Sequence, residues 1–218
     1  MQAALSFLKD LSKNNNREWF HEHKKRYEQA LKKPFENLIA QLIEAVQQVD
    51  SALLLLPKQA IFRIHRDTRF SKDKTPYKTH VSAIIVPGGT KNKETPGFYI
   101  QLEPGMLMLG GGAYFLEGTS LYKVRQFIMQ NPEDFNTVIH YPDFITKYET
   151  LQGERNKRLS PEFVEAAVDQ PLLYNKQFYY MAELDPQHIL RTDVIHFIME
   201  YYHAAKPVND FLIAALRN

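Results

Sequence analysis

Near Ala60 the apolar period shifts from about 3.6, the repeat of a helix, to about 2, the repeat of a strand. No single layer can absorb both patterns, so the chain must combine helices with a sheet. Before the shift, Leu5, Leu8 and Leu11 with Ala4 and Phe7 predict a short amphipathic helix that ends at Asn14-Asn15-Asn16. Asn15, with Glu18 three residues on, fits an N-cap followed by an acceptor. It would open a longer helix through Trp19, His23, Tyr27, Ala30 and Leu31. Pro34 removes a helical N–H and disfavours helical geometry before it, so a kink or break is expected there. A further helix then runs on Phe35, Leu38, Ile39, Leu42, Ile43, Val46 and Val49.

After Ala60, a strand would place Ile61, Arg63 and His65 on one face and Phe62, Ile64 and Arg66 on the other. Val81 to Val86 is apolar at nearly every position, as for a central strand covered on both faces, and Pro87-Gly88-Gly89 ends it. Gly97 to Glu103 alternates, and Pro104-Gly105 turns the chain into Met106 to Leu109, a hairpin. Four strands with no helix between them favour an antiparallel sheet in an α+β fold over a doubly wound one. Helical signals return at Thr119, at Pro132 in an N1 position, at Ser160-Pro161-Glu162, and from Thr192-Asp193 through His203, then over Pro207 to Leu216. Gln177 to Leu184 reads as a further strand. The expectation is a mainly antiparallel sheet of about four to six strands with helices packed on it, including N- and C-terminal helices. With no repeat or low-complexity linker, residues 1–218 read as a single domain: 1–50 helical, 60–115 sheet, 119–218 mostly helical with one possible strand.

Composition narrows function by exclusion. The chain has no Cys, so disulfides, thiolate metal sites and a cysteine nucleophile are ruled out. Met1 to Lys13 lacks a continuous apolar stretch, so no signal peptide is expected. Apolar runs such as Ala52 to Pro57 fall far short of the roughly 20 residues of a membrane helix. The default is a soluble cytoplasmic protein. A pI near 8.6 argues against a dedicated nucleic-acid binder, whose domain usually exceeds about 9.

Charge is concentrated in one place. Residues 63–80 hold six Lys/Arg against two Asp, a local charge of +4, in a chain whose formal net charge is only +2. Arg63, Arg66 and Arg69 offer planar forks for phosphate or carboxylate, Lys74 and Lys78 mobile point charges, and Ser71 and Tyr77 neutral hydrogen bonds. Ser71 to Pro76 has the composition of a tight surface turn. Asp67 or Asp73 would serve as a base or as an orienter of arginine, and the same residues equally fit a salt-bridge lattice that pins the loop. Asp67, Asp73, His65 and His80 are conceivable metal ligands, but six adjacent cations argue against a metal.

Elsewhere the signals are weaker. Gly110-Gly111-Gly112 ends a strand, yet six residues separate it from Thr119 and no phosphate-loop spacing is present, which favours a bulge or close backbone approach. Tyr114 and Arg125 flank the run as candidate pocket residues. Trp19, the only Trp, reads first as a core anchor and second as a stacking residue. His21 and His23 diverge by about 200° on a helix, which argues against shared metal binding. No metalloprotease, serine-hydrolase or paired-carboxylate signature appears.

Along Arg63-x-x-Arg66-Asp67-x-Arg69-Phe70-Ser71-x-Asp73-Lys74-x-Pro76-Tyr77-Lys78, the sequence resembles a bacterial and fungal family of uncharacterised proteins known as a domain of unknown function. Asn16-Arg17-Glu18-Trp19-Phe20, Lys24, Tyr27, Gly97-Phe98-Tyr99, Gly111-Gly112, Tyr114 and Arg125 reinforce the likeness, and Lys176 with Phe178 continue it beyond residue 150. Two positions depart from the pattern: Leu116 stands where a proline is usual, and Pro161 alone remains of a proline-glycine pair. The resemblance implies one α+β domain and groups the basic segment, Trp19, the glycines and Arg125 in one site. It implies no reaction, ligand or cofactor.

The leading expectation is a pocket of Arg63, Arg66, Arg69, Lys74, Tyr77 and Lys78, with Trp19 and Arg125, for an anionic small molecule bearing phosphate or carboxylate. Asp67 or His80 would be the proton carrier if chemistry occurs. The alternatives are a nucleic-acid-binding module in which Tyr77, Phe70 or Tyr99 stack on bases, and a non-catalytic interaction protein built on an ion-pair lattice. Enzymatic activity, cofactor and oligomeric state do not follow from the residues.

Overall fold

The three asparagines at residues 14–16 each do a different job in the computed structural model, which describes residues 1–218. Asn14 closes helix α1 (Gln2–Lys13): its N–H reaches the Asp10 and Leu11 carbonyls and its side chain the Asp10 carbonyl. Asn16, rather than the expected Asn15, caps α2 (Arg17–Glu22) by accepting from the Trp19 N–H at 2.8 Å. That frees Asn15 to bond the main chain of Tyr77, 62 residues away.

The chain packs as two compact units, one comprising 1–91, 99–109 and 183–199, the other 92–98, 110–182 and 200–218. In the first unit, α1 buries Ala4, Leu5, Phe7, Leu8 and Leu11, the three-and-four spacing of an amphipathic helix. After α2 the expected break at Pro34 does not occur. A π-helical segment, Tyr27–Lys32, leads directly into α3 (Lys33–Gln47). Pro34 is the second residue of α3, and the wider π turn before it accommodates a residue that donates no N–H. Helix α3 buries Phe35, Leu38, Ile39, Leu42, Ile43 and Val46, while Val49 is exposed.

Four strands form one antiparallel sheet in the order β1-β2-β3-β4: β1 (Val81–Ile85), β2 (Gly97–Glu103), β3 (Met106–Ala113) and β4 (Phe178–Leu184). β2 alternates buried and half-buried positions, and β1 is buried at four of five positions. The stretch 61–66, expected as a further strand, instead makes isolated bridges, Ile61 to Ala83 and His65 to Tyr77.

In the second unit, α4 (Gly118–Gln130), α5 (Pro132–Ile139) and α6 (Pro142–Tyr148) follow one another, the last two with proline in the first turn. Phe135, Phe144, Tyr148 and Tyr180 are fully buried, with Tyr148 and Tyr180 ring centroids 4.6 Å apart. The C-terminal segment is one helix, α7 (Val194–Arg217), not two pieces meeting at Pro207. The carbonyl deprived of a donor by Pro207 belongs to His203, which is exposed. Ala204, Ala205, Val208 and Leu212 are buried around the proline, and that packing holds the helix together.

The glycine run sits inside β3 because side chains have no room there. A Cβ on Gly111 would meet the Gly97 carbonyl and the Tyr180 hydroxyl; one on Gly112 would strike the Phe178 carbonyl. Gly112 also has φ +91°, a conformation that L side chains rarely adopt.

Candidate functional site

The basic segment forms an arm in the first unit. Its two limbs, 61–66 and 76–83, run antiparallel: the Phe62 N–H donates to the Ser82 carbonyl at 2.9 Å, Lys78 N–H to Ile64 at 2.8 Å, and Arg66 N–H to Pro76 at 2.9 Å. Between the bridged pairs Ile61–Ala83 and His65–Tyr77, one limb has three residues and the other five. With Lys78 bonded opposite Ile64 and Ser82 opposite Phe62, the surplus makes a bulge at Thr79-His80-Val81, a device that re-aims side chains beside functional sites.

A clamp anchors the arm to the N-terminal helices. Asn15 Nδ2 donates to the Tyr77 carbonyl at 2.8 Å while the Tyr77 N–H donates to Asn15 Oδ1 at 3.1 Å, so the side-chain amide acts as one more strand residue. The Tyr77 ring stacks on Phe20 at 3.9 Å and 15° and is only 6% exposed. His65 lies 5.1 Å from it. His65 and Tyr77 line an open groove of about 640 Å³ whose other wall is α2, with Arg17, Glu18, Phe20, His21 and Glu22, and Lys24 just beyond it.

At the tip, residues 67–75 are stapled from within. Arg66 donates from one nitrogen to both Asp73 and Thr75. Arg69 grips Asp67 with two parallel bonds, Nε at 3.0 Å and Nη2 at 2.7 Å. Lys74 Nζ donates to the Thr68 carbonyl at 2.8 Å, and the Thr75 N–H to Asp73 at 2.9 Å. The Arg69 side chain and then its N–H hold the Asp67 carboxyl down to about 2; for Asp73 the Thr75 N–H leads, followed by Arg66, to the same value. Carboxylates that stay ionised to such acidity are poorly placed to carry protons near neutrality.

Arg63, Lys78 and His80 lie at the base of the arm. Arg63 is exposed and makes no ion pair or hydrogen bond. Lys78 Nζ lies 5.2 Å above the Phe62 ring. Burial, then the nearby Arg63 charge, lowers the Lys78 pKa; burial, then Lys78, lowers that of His80. These shifts describe a chain of basic groups, Arg63 to Lys78 to His80, with no carboxylate bonded to any of them. Tyr99 faces Gln101, to which its hydroxyl donates at 2.6 Å, and burial raises its pKa.

Trp19 is half-buried, stacked on His23 at 4.2 Å and tilted against Phe7 at 5.6 Å, while His21 is exposed. Arg125 belongs to the second unit, where α4 carries it to 7% exposure. Its Nη2 donates to the Asn175 carbonyl at 3.0 Å, its Nε has no partner, and burial lowers its pKa. No group of three or more His, Asp or Glu is arranged to hold a metal ion. No helix is long and apolar enough to cross a membrane.

Sequence reasoning missed the Asn15 clamp, the bulge and the groove beneath His65. Only Asn15 left a signal, one asparagine too many between two helices that need one cap each. No curated protein matches the chain. A family model described as a conserved hypothetical protein, DUF2461, matches residues 3–211, and the chain belongs to that family.

Proposed function

We propose that the chain binds a small anion bearing phosphate or carboxylate at the base of the arm, on Arg63, Lys78 and His80. One observation carries the reading: Arg63, Lys78 and His80 follow one another with no carboxylate bonded to any of them, and burial, then the neighbouring cation, lowers the pKa of Lys78 and of His80. Cations crowded in this way, two of them partly removed from water, are relieved by an incoming anion. For this anion Arg66, Arg69 and Lys74 serve as scaffold, since each holds the loop through at least one donor. His80, on the bulge, is the group able to exchange a proton with a bound ligand near neutral pH, and anion binding would raise its affinity for that proton.

The test is calorimetric titration with inorganic phosphate and with citrate. Arg63→Ala and Lys78→Met, which keeps the apolar stem over Phe62, should each weaken binding about 10- to 150-fold, the worth of a charge-assisted hydrogen bond. Arg69→Ala should unlatch the tip and leave phosphate affinity within about threefold. Unchanged affinity in both Arg63→Ala and Lys78→Met would remove the proposal.

A further inference from the structure

The tip of the arm carries a feature for which the anion patch has no use. Phe70 is 97% exposed, whereas the next most exposed phenylalanine, Phe115, reaches 55%. The surrounding chain is fixed so that the ring stands clear: Arg69 is doubly bonded to Asp67, Lys74 is tied to the Thr68 carbonyl, and the Ser71 N–H reaches the same carbonyl at 3.4 Å. Arg69, with 77% of its side chain exposed, sits beside the ring, its guanidinium carbon 5.8 Å from the ring centroid. Lys72 and Lys74 follow, both exposed.

We infer that this tip is a stacking platform for single-stranded nucleic acid, with Phe70 taking a base on its face and Arg69, Lys72 and Lys74 taking the flanking phosphates. Charge complementarity identifies the partner as an anion. Asp67 and Asp73 are each satisfied inside the loop, and the charge left over is that of Lys72 and Lys74 at the tip and of Arg63 and Lys78 at its base. An exposed ring among cations is the combination that binds unpaired bases with little regard to sequence. The other aromatic side chains of the arm region are committed, Tyr77 to Phe20 and Tyr99 to Gln101. A lipid surface fits less well. One ring between Arg69 and Ser71 is not an apolar wedge, and two ionised carboxylates, 43% and 58% exposed, would be pressed into the headgroups. A flexible strand can lay its phosphates along the cations and leave the carboxylates aside.

The experiment uses the full chain and fluorescein-labelled ten-nucleotide oligo-dT and oligo-U, followed by anisotropy across a salt series. Wild type should bind with log K falling against log salt at a slope of roughly −2, three contacts at about −0.7 each. Phe70→Ala should weaken binding about 5- to 150-fold without changing the melting temperature, and Phe70→Trp should restore it. The double variant Lys72→Ala/Lys74→Ala should reduce the slope by about 1.4. Phosphate binding at the base of the arm should be the same in Phe70→Ala as in wild type, so the two readings fail separately. Absence of binding at low salt, or wild-type oligonucleotide affinity in Phe70→Ala, overturns the inference. So does Phe70-dependent binding to anionic phospholipid vesicles without oligonucleotide binding, which would make the tip a membrane anchor.

Discussion

Replacing Asn15 with alanine tests whether the arm is held by two hydrogen bonds rather than by its own short ladder. Both bonds from the Asn15 amide end on the main chain of Tyr77, at 2.8 and 3.1 Å, and Tyr77 is a buried residue. Removing the amide therefore orphans a peptide N–H and a carbonyl together. Each bond contributes about 0.5–1.5 kcal/mol net, and an orphaned buried group costs about 1–3 kcal/mol. Partial access of water to the vacated space pulls the total toward the lower end, about 3 kcal/mol. For a chain of this size that is a fall in melting temperature of about 6–12 °C. Asn16→Ala removes only an exposed cap bond at 2.8 Å and should cost about 1 kcal/mol. Thermal melts of the two variants give the comparison, and amide exchange at Tyr77 gives the local readout, which should speed up at least tenfold in Asn15→Ala only. Equal losses in both variants, with Tyr77 exchange unchanged, would refute the clamp.

Two further outcomes follow from the same geometry. Gly112→Ala should cost about 2–4 kcal/mol by urea denaturation, because φ +91° and the Phe178 carbonyl both oppose a side chain there; a neutral result would return the glycine run to a ligand-binding reading. In an NMR titration, His80 should protonate below its ordinary range. Because its folded pKa is depressed, its contribution to stability is complete above about 6.5 and is lost as pH falls through the folded value. Asp67 and Asp73 are also depressed, so the tip should stay latched as pH falls past about 3.9 and open only toward about 2.

Strands β2 and β4 and helices α1, α3 and α5 were legible because each follows a local period or punctuation mark that packing then reinforced. The failures have one cause: tertiary partners that a local pattern does not carry. Asn15 looked like a cap because its neighbours decide which asparagine caps, and the surplus one is spent on Tyr77. Pro207 looked like a stop because the buried residues flanking it cannot be recognised as buried from a one-residue irregularity. The basic segment resisted most. Strand alternation places Arg63 and His65 on one face and Arg66 on the other, but it carries no information on which arginine finds which aspartate. Each of the two carboxylates selects one arginine, Asp67 taking Arg69 and Asp73 taking Arg66. That selection divides the segment: a latch at the tip, and a residue of unpaired charge at Arg63 and Lys78 beside a bulge that no periodicity announces. Density of charge marked the region, but the choice between lattice and site depended on the pairing, and the pairing assigns different residues to each.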